Sequence, residues 1–498
     1  MLRHHLRAVT PWRSRSPSKV LPSLWRSALA TSHFPGIRCG YASVSAGELQ
    51  FGQPVYETHP HILKAGELTR GITALEYAQR RARLAARLPE NAIAVIPASD
   101  LKYRSGPVFY EFHQDPNFFY LTGFNEPESL AIIERTGSDG DHIFHLFVRP
   151  KDPEAEKWDG ARSGLQAALD IFNADEVGDI NRVQTQLPSI IARASEVYTD
   201  VPNTITARTA FGRFFSSGPP DKEGFAKMLR DTKVRPLRPI LNQLRVYKSA
   251  AEISNMRIAG QASGRAFTDA MRHRFSEEAK LYAFMEYNFK LRGCDTSAYV
   301  PVVAGGKNAL SIHYVQNNDR LSPEELVLVD AGGEYGGYIT DITRTWPISG
   351  KFTGAQKDLY EAILKIQRSC VSLCREDSNL SLDKLHDIAQ SGLERHLKDI
   401  GFDMSGNAIE TLFPHHLGHY IGLDVHDCSG YSRRDSLKTG QCITIEPGIY
   451  VPDDERWPKH FRGIGIRIED SVCIQEDSPF IFTTEAVKEV VDIEALAD

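Results

Sequence analysis

The segment Leu326 to Pro347 constrains this chain more than any other. Apolar LVLV runs into Asp330, the glycine-rich AGGEYGG follows, and YITDITRTWP carries Asp341. Two apolar runs flanking a glycine-rich centre predict a β-hairpin. Asp330 and Asp341 stand at equal distances from the centre of that turn, so simple pairing sets them opposite each other with Cβ atoms roughly 5 Å apart. Two carboxylates so placed repel. The arrangement makes sense if a cation lies between them or if the pair shares a proton. A slipped register with both acids in solvent is the plain alternative.

A similar pattern recurs near the C-terminus. QCITIEPGIYVP ends a strand at Glu446, and RGIGIRIEDSVCI reads as a strand with Ile464, Ile466 and Ile468 on one face, leaving Arg467 and Glu469 on the other. Either glutamate alone could belong to an ordinary buried ion pair. Between the hairpin and these segments, PHHLGHYIGLDVHD sets His415, His416, His419 and His426 within fourteen residues. Packing seldom needs four imidazoles so close. His415 and His419 imitate the outer positions of H-E-x-x-H, but His416 occupies the glutamate position, so the zincin base is absent. What the acid cluster lacks is one nitrogen donor.

The rest of the chain sets the frame. From Gln53 to about Pro236, strand-like runs (Ala92 to Ile96, His142 to Val148) alternate with helical ones (Ala74 to Leu88), predicting an α/β domain over 53–236. The connector Val234 to Pro239 leads into Leu241 to Tyr247, and Ser249 with Glu252 has capping-box spacing at the start of the next helix. Over 241–498 the order becomes helices first and β-rich segments last, so the fold class is α+β.

The first 47 residues hold seven Arg or Lys and no acid before Glu48, with Leu2, Leu6 and Val9 on one helical face apart from Arg3 and Arg7. This basic amphipathic pattern predicts a mitochondrial presequence, with processing near Arg38 to Ser43 and the matrix as destination; a disordered basic tail is the plain alternative. A net charge of -6 gives no basic excess for nucleic acid, and no apolar run reaches the ~18 residues of a membrane span. Seven scattered cysteines form neither a disulfide framework nor a zinc pattern, and Cys370 and Cys374 share one buried helical face.

Taken in order, these segments resemble the pita-bread metallopeptidases, the family of methionine aminopeptidase, prolidase and aminopeptidase P, over nearly all of the chain after the presequence. The resemblance implies a pita-bread catalytic domain behind an α/β N-terminal domain. It implies that Asp330 chelates one divalent metal ion, that Asp341 and Glu469 bridge two, and that His419 and Glu446 complete the second. His313 in SIHY matches the family histidine near the scissile peptide and His426 the one that stabilises the tetrahedral intermediate. Tyr450 and Arg467 match outer-shell positions, and His415 lines the pocket after the cleaved bond. Glu446 would also carry the proton to the leaving amine.

FHQDPNFFYLTGFNEPES from Phe112, with GQPVYETHPH from Gly52, is similar to the aminopeptidase P branch, most closely to its mitochondrial members. The implied activity is removal of one N-terminal residue from imported proteins after presequence cleavage; a general Xaa-Pro aminopeptidase is the alternative and a dipeptide-restricted prolidase comes third. From another class, creatinase shares the fold without metal, so a catalytically silent peptide-binding protein is the contrasting reading. Four carboxylates and one imidazole make a hard site that suits Mn²⁺, and two such ions would generate hydroxide near neutral pH. The partners expected are peptide N-termini, whose free amine an internal peptide cannot offer, and a second copy in a homodimer.

Overall fold

The computed structural model describes residues 50–138, 140–201, 229 and 232–497. The basic segment over 1–47 lies outside the described residues.

Helix α1 (Ala74–Ala85) starts where the Thr73 side chain accepts from the Glu76 amide. Next come strand β1 (Ile93–Pro97), helix α2 (Pro116–Thr122), strands β2 (Leu130–Arg135), β3 (His142–Val148) and β4 (Glu176–Asp179), and helix α3 (Val183–Arg193). Strands β5 (Val197–Tyr198) and β6 (Val234–Arg235) complete a six-stranded mixed sheet, ordered β6-β5-β1-β2-β3-β4. The central strands β1 (IAVIP) and β2 (LAIIER) read as near-continuous apolar runs because both faces of the sheet are covered. Ala94, Ile96, Ile133 and Leu146 belong to one core with Tyr77 and Leu84 of α1, while Ile93, Val95 and Ile132 pack with Val183 and Leu187 of α3.

Helix α4 (Arg238–Arg245) leads to α5 (Ala250–Met271), whose capping box of Ser249 and Glu252 forms in both directions. Helix α6 (Glu278–Leu291) follows, then β7 (Thr296–Ser297), β8 (Val302–Gly305), β9 (Leu326–Ala331), β10 (Gly333–Tyr335), β11 (Tyr338–Ile339) and β12 (Ile342–Pro347). Helices α7 (Gly354–Ser372) and α8 (Leu382–Asp399) precede β13 (Cys442–Ile445), β14 (Gly448–Tyr450), β15 (Gly465–Arg467), β16 (Asp470–Ile474) and β17 (Pro479–Ile481). The α+β class holds, but helices then strands occurs twice rather than once. Cys370 and Cys374 are both fully buried, as their spacing predicts, and the six described cysteines are free thiols.

Two expectations about strands are corrected. Asp330 pairs with Thr343, not Asp341, because the turn falls on Gly336–Gly337, both at positive φ (60° and 83°), as a two-residue type I′ turn requires. The shift is two residues, so Asp341 stays on the same face, diagonal to Asp330. The run over 462–474 is two strands, not one. Ile445 pairs with Asp470 and Gly448 with Arg467, so one register spans both ladders and sets Glu446 against Glu469. Pro447, with no N–H to give, interrupts the pairing at that point.

Helix α1 and the β10–β11 hairpin meet at a buried charge. Arg80 of α1 is fully buried, bonds Glu76 at 2.7 Å and the Tyr338 hydroxyl at 3.1 Å, and lies 4.4 Å from the centre of the Tyr120 ring. A guanidinium out of water is tolerated only with such partners.

Candidate metal centre

Three strand segments lie side by side and bring the five expected donors together. Glu469 N–H donates to Thr343 O at 3.0 Å, Asp341 N–H to Ser471 Oγ at 3.0 Å, and Thr345 Oγ1 to Arg467 O at 3.0 Å, which joins β12 to the 465–471 segment. On the outer edge of β13, Thr444 N–H donates to His419 O at 2.9 Å and Glu446 N–H to Leu417 O at 2.8 Å. Gly418 is required in that edge segment, since a Cβ there would stand 1.9 Å from Thr444 O.

One oxygen or nitrogen each of Asp341, His419 and Glu469 lies within 4.8 Å of the others. His419 Nε2 is 3.5 Å from Asp341 Oδ2 and 3.5 Å from Glu446 Oε1. Its Nδ1 is 3.1 Å from Tyr420 O, an acceptor only, so Nδ1 carries a proton and Nε2 is directed at two carboxylates. Burial works against charging this imidazole, but Asp341 and Glu446 outweigh it and raise its pKa to about 9. Asp330 joins through Tyr299, whose hydroxyl meets Asp330 Oδ1 at 2.6 Å and also bonds Asp341. Arg467 binds the other Asp330 oxygen at 2.5 Å.

The outer residues form a directed chain. Arg467 Nη1 donates to Tyr450 Oη at 2.7 Å, and Tyr450 Oη stands 2.9 Å from His415 Nε2. His415 Nδ1 is 2.9 Å from His416 O, so this ring is the neutral Nδ1–H tautomer with Nε2 accepting. Burial, aided by the Arg467 charge, lowers its pKa to about 3. His426 is exposed, with its ring edge-on to His419 at 4.5 Å between centroids. Partial desolvation of the ring and the His419 charge lower its pKa, and His313, also exposed, adds to that field. No direct contact joins His313 to the five donors among the described residues. Tyr299, Thr343 and Thr444 escaped the sequence reading. Thr343 alone carried a signal, standing two residues from Asp341 on the same strand face.

Beside the His419–His426 loop is a cavity of about 450 Å³, walled by Phe112, His113 and Phe119 on one side and by Glu334, Gly337 and Leu423 on the other. His113 Nε2 and Glu334 Oε2 meet across it at 3.1 Å.

Residues 254–476 match Metallopeptidase family M24, and residues 77–198 match Aminopeptidase P, N-terminal domain. Intermediate cleaving peptidase 55 of Saccharomyces cerevisiae is 46% identical over 90% of this chain and 88% of its own. Xaa-Pro aminopeptidase 3 of Homo sapiens is 39% identical over 89% of this chain and 90% of its own. The crystal structure of Icp55 from Saccharomyces cerevisiae, with 58 N-terminal residues deleted, superposes with a TM-score of 0.79 at 45% identity, covering 87% of this chain and 99% of that one. The chain belongs to metallopeptidase family M24.

The M24 fold, a pita-bread catalytic domain with an aminopeptidase P-type domain ahead of it, makes the chain a metal-dependent hydrolase of aminopeptidase type. The donor set fits divalent cations on its own chemistry. Four carboxylates converge with one guanidinium, and Glu469 Oε1 is buried with no hydrogen-bond partner. Burial raises the pKa of Asp330, Glu446 and Glu469, with Asp341 adding repulsion to each; only Asp341, beside His419, is held low against the cost of its burial. An M24 centre resolves this surplus of negative charge with metal rather than protons.

Proposed function

We propose that this chain is a mitochondrial aminopeptidase that removes one N-terminal residue from imported proteins once their presequence has been cut off. The observation that carries the reading is the buried, unpartnered Glu469 Oε1 among Asp330, Asp341, His419 and Glu446, in a chain 46% identical to Intermediate cleaving peptidase 55. A relative at 35% identity bears the name Intermediate cleaving peptidase 55, mitochondrial, which supports the organelle alongside the basic segment over 1–47; the matrix is the compartment proposed.

In this reading Asp330, Asp341, His419, Glu446 and Glu469 hold two divalent ions, Mn²⁺ by the hardness of the set. The metal, when bound, supplies Lewis acidity and a nucleophile at neutral pH. The protein's own groups do the rest. His426 and His313 donate to the carbonyl oxygen of the scissile peptide as charge develops on it. Glu446, its carboxyl raised by burial, moves a proton to the leaving amine. Tyr450, Arg467 and the neutral His415 hold the wall after the cleaved bond, and the cavity beside Leu423 takes the side chain of the residue removed. Residues 53–236 and 241–498 are the two domains. Pairing of two copies through the first of these belongs to the same proposal, supported by the exposed Tyr103, Val108, Phe109 and Tyr110; sedimentation at micromolar protein tests it.

The test is N-terminal profiling of mitochondria with and without the protein. Imported proteins one residue longer in its absence support trimming. Accumulation only of peptides with proline second favours the alternative, a general Xaa-Pro aminopeptidase, which the 39% identity to Xaa-Pro aminopeptidase 3 supports. Purified protein that cleaves nothing, whatever metal is added, would leave only a peptide-binding relative.

A further inference from the structure

His426 faces solvent, and no side-chain hydrogen bond fixes its ring among the described residues. Its position comes from its loop, and the anchor of that loop is the next residue. Asp427 is 4% exposed and meets two buried cations: Arg245 Nη2 stands 2.5 Å from Oδ1 and Lys248 Nζ 2.9 Å from Oδ2. Arg245 also holds Asp424 Oδ2 at 2.9 Å and Asn117 Oδ1 of α2 at 2.6 Å. The loop closes on itself, Asp427 N–H donating to Tyr420 O at 2.9 Å and Gly422 N–H to Asp424 O at 3.1 Å. Gly422 leaves room for this, because a Cβ there would stand 2.4 Å from Asp427 Oδ2 and 2.8 Å from Lys248 Cε.

Burying an ammonium and a guanidinium side by side costs several kcal/mol in lost hydration, which a core filled only for stability would avoid with apolar residues. Here both cations come from the connector, Arg245 at the end of α4 and Lys248 just before the Ser249 cap of α5, and both face the loop residue that follows His426. We propose that Arg245 and Lys248 are positioning residues that act through Asp427 to hold His426 edge-on to His419, over the reacting carbonyl. The inference rests on the reading of His426 as a donor to substrate.

A double-mutant cycle on the full, metal-loaded enzyme tests it with His426→Ala, Asp427→Asn and the double variant, following kcat, KM and bound metal. The expected result is a loss in kcat of roughly 100-fold for His426→Ala, about tenfold for Asp427→Asn with KM and metal content unchanged, and a double variant no slower than His426→Ala. Lys248→Met, which removes a buried charge, gives the same test if Asp427→Asn does not fold. Losses that multiply would overturn the inference, as would an unchanged kcat in Asp427→Asn. An unchanged kcat in His426→Ala would instead remove the donor reading beneath it.

Discussion

Thr343 Oγ1 donates to Glu469 Oε2 at 2.6 Å, while Oε1 of the same carboxylate is buried with nothing to bind. The hydroxyl also accepts from Arg467 Nε at 3.0 Å, so its single proton is committed to the glutamate. Thr343→Val keeps the shape and removes the donation. Metal affinity should fall roughly 10- to 100-fold, as outer partners of metal ligands generally show, with circular dichroism unchanged. Competition with a fluorescent chelator measures it.

Tyr299 gives a different signature. One hydroxyl proton cannot serve Asp330 and Asp341 at once, so the group eases their repulsion most when no cation is present. Tyr299→Phe should lower the stability of the metal-free protein by about 1 to 3 kcal/mol. The rise in Tm on adding Mn²⁺ should therefore be larger in the variant than in the wild type. Calorimetry of both forms decides this, and equal rises would count against it.

Asp470 predicts an acid limb. Burial would raise its pKa, but Arg344 at 2.7 Å and Lys488 at 2.5 Å, with Gln367 and Thr483 donating at 2.7 Å, hold it well below the ordinary range. Stability from a depressed carboxylate is complete above its unfolded value near 4 and drains as pH falls toward the folded value. Asp470→Asn should cost roughly 3–5 kcal/mol at pH 7, since two buried cations lose their counter-charge. Urea titrations should show the gap to wild type narrowing as pH drops below about 4; a constant gap would mean the charge is not what matters.

Gly418→Ala should abolish metal binding by displacing His419 from Thr444, because the new methyl meets a backbone oxygen at 1.9 Å rather than a movable side chain. Gly354→Ala is the control. That site has nothing within 4 Å and begins helix α7, so activity should stay at the wild-type level and stability should hold or rise by up to about 1 kcal/mol. Titration with Mn²⁺ followed by an activity assay compares the two.

Legibility in the sequence followed physical range. Local rules carried Ala92 to Ile96, His142 to Val148 and the Ser249 cap, because apolar runs and capping geometry involve neighbours in the chain. The hairpin with Asp330 and Asp341 was readable as a hairpin, but not in register: a stretch with four glycines offers several turns, and the choice of Gly336–Gly337 depends on which pair adopts positive φ. Tyr299 was invisible because its partners are 31 and 42 residues away and nothing in TSAYVP marks it. The same holds for Arg245 and Asp427, which are 182 residues apart and look like ordinary surface charges until folded together.

The lateral contact between β12 and the 465–471 segment has a bearing on timing. On the proposed ligand set, a chain whose last hairpin is not yet in place has Asp330 and Asp341 but neither glutamate beside them, and would lack activity. With those ligands, hydrolytic competence waits on contacts between residues 126 positions apart, the kind that form slowly, and a truncated copy ending before Glu446 would be inert.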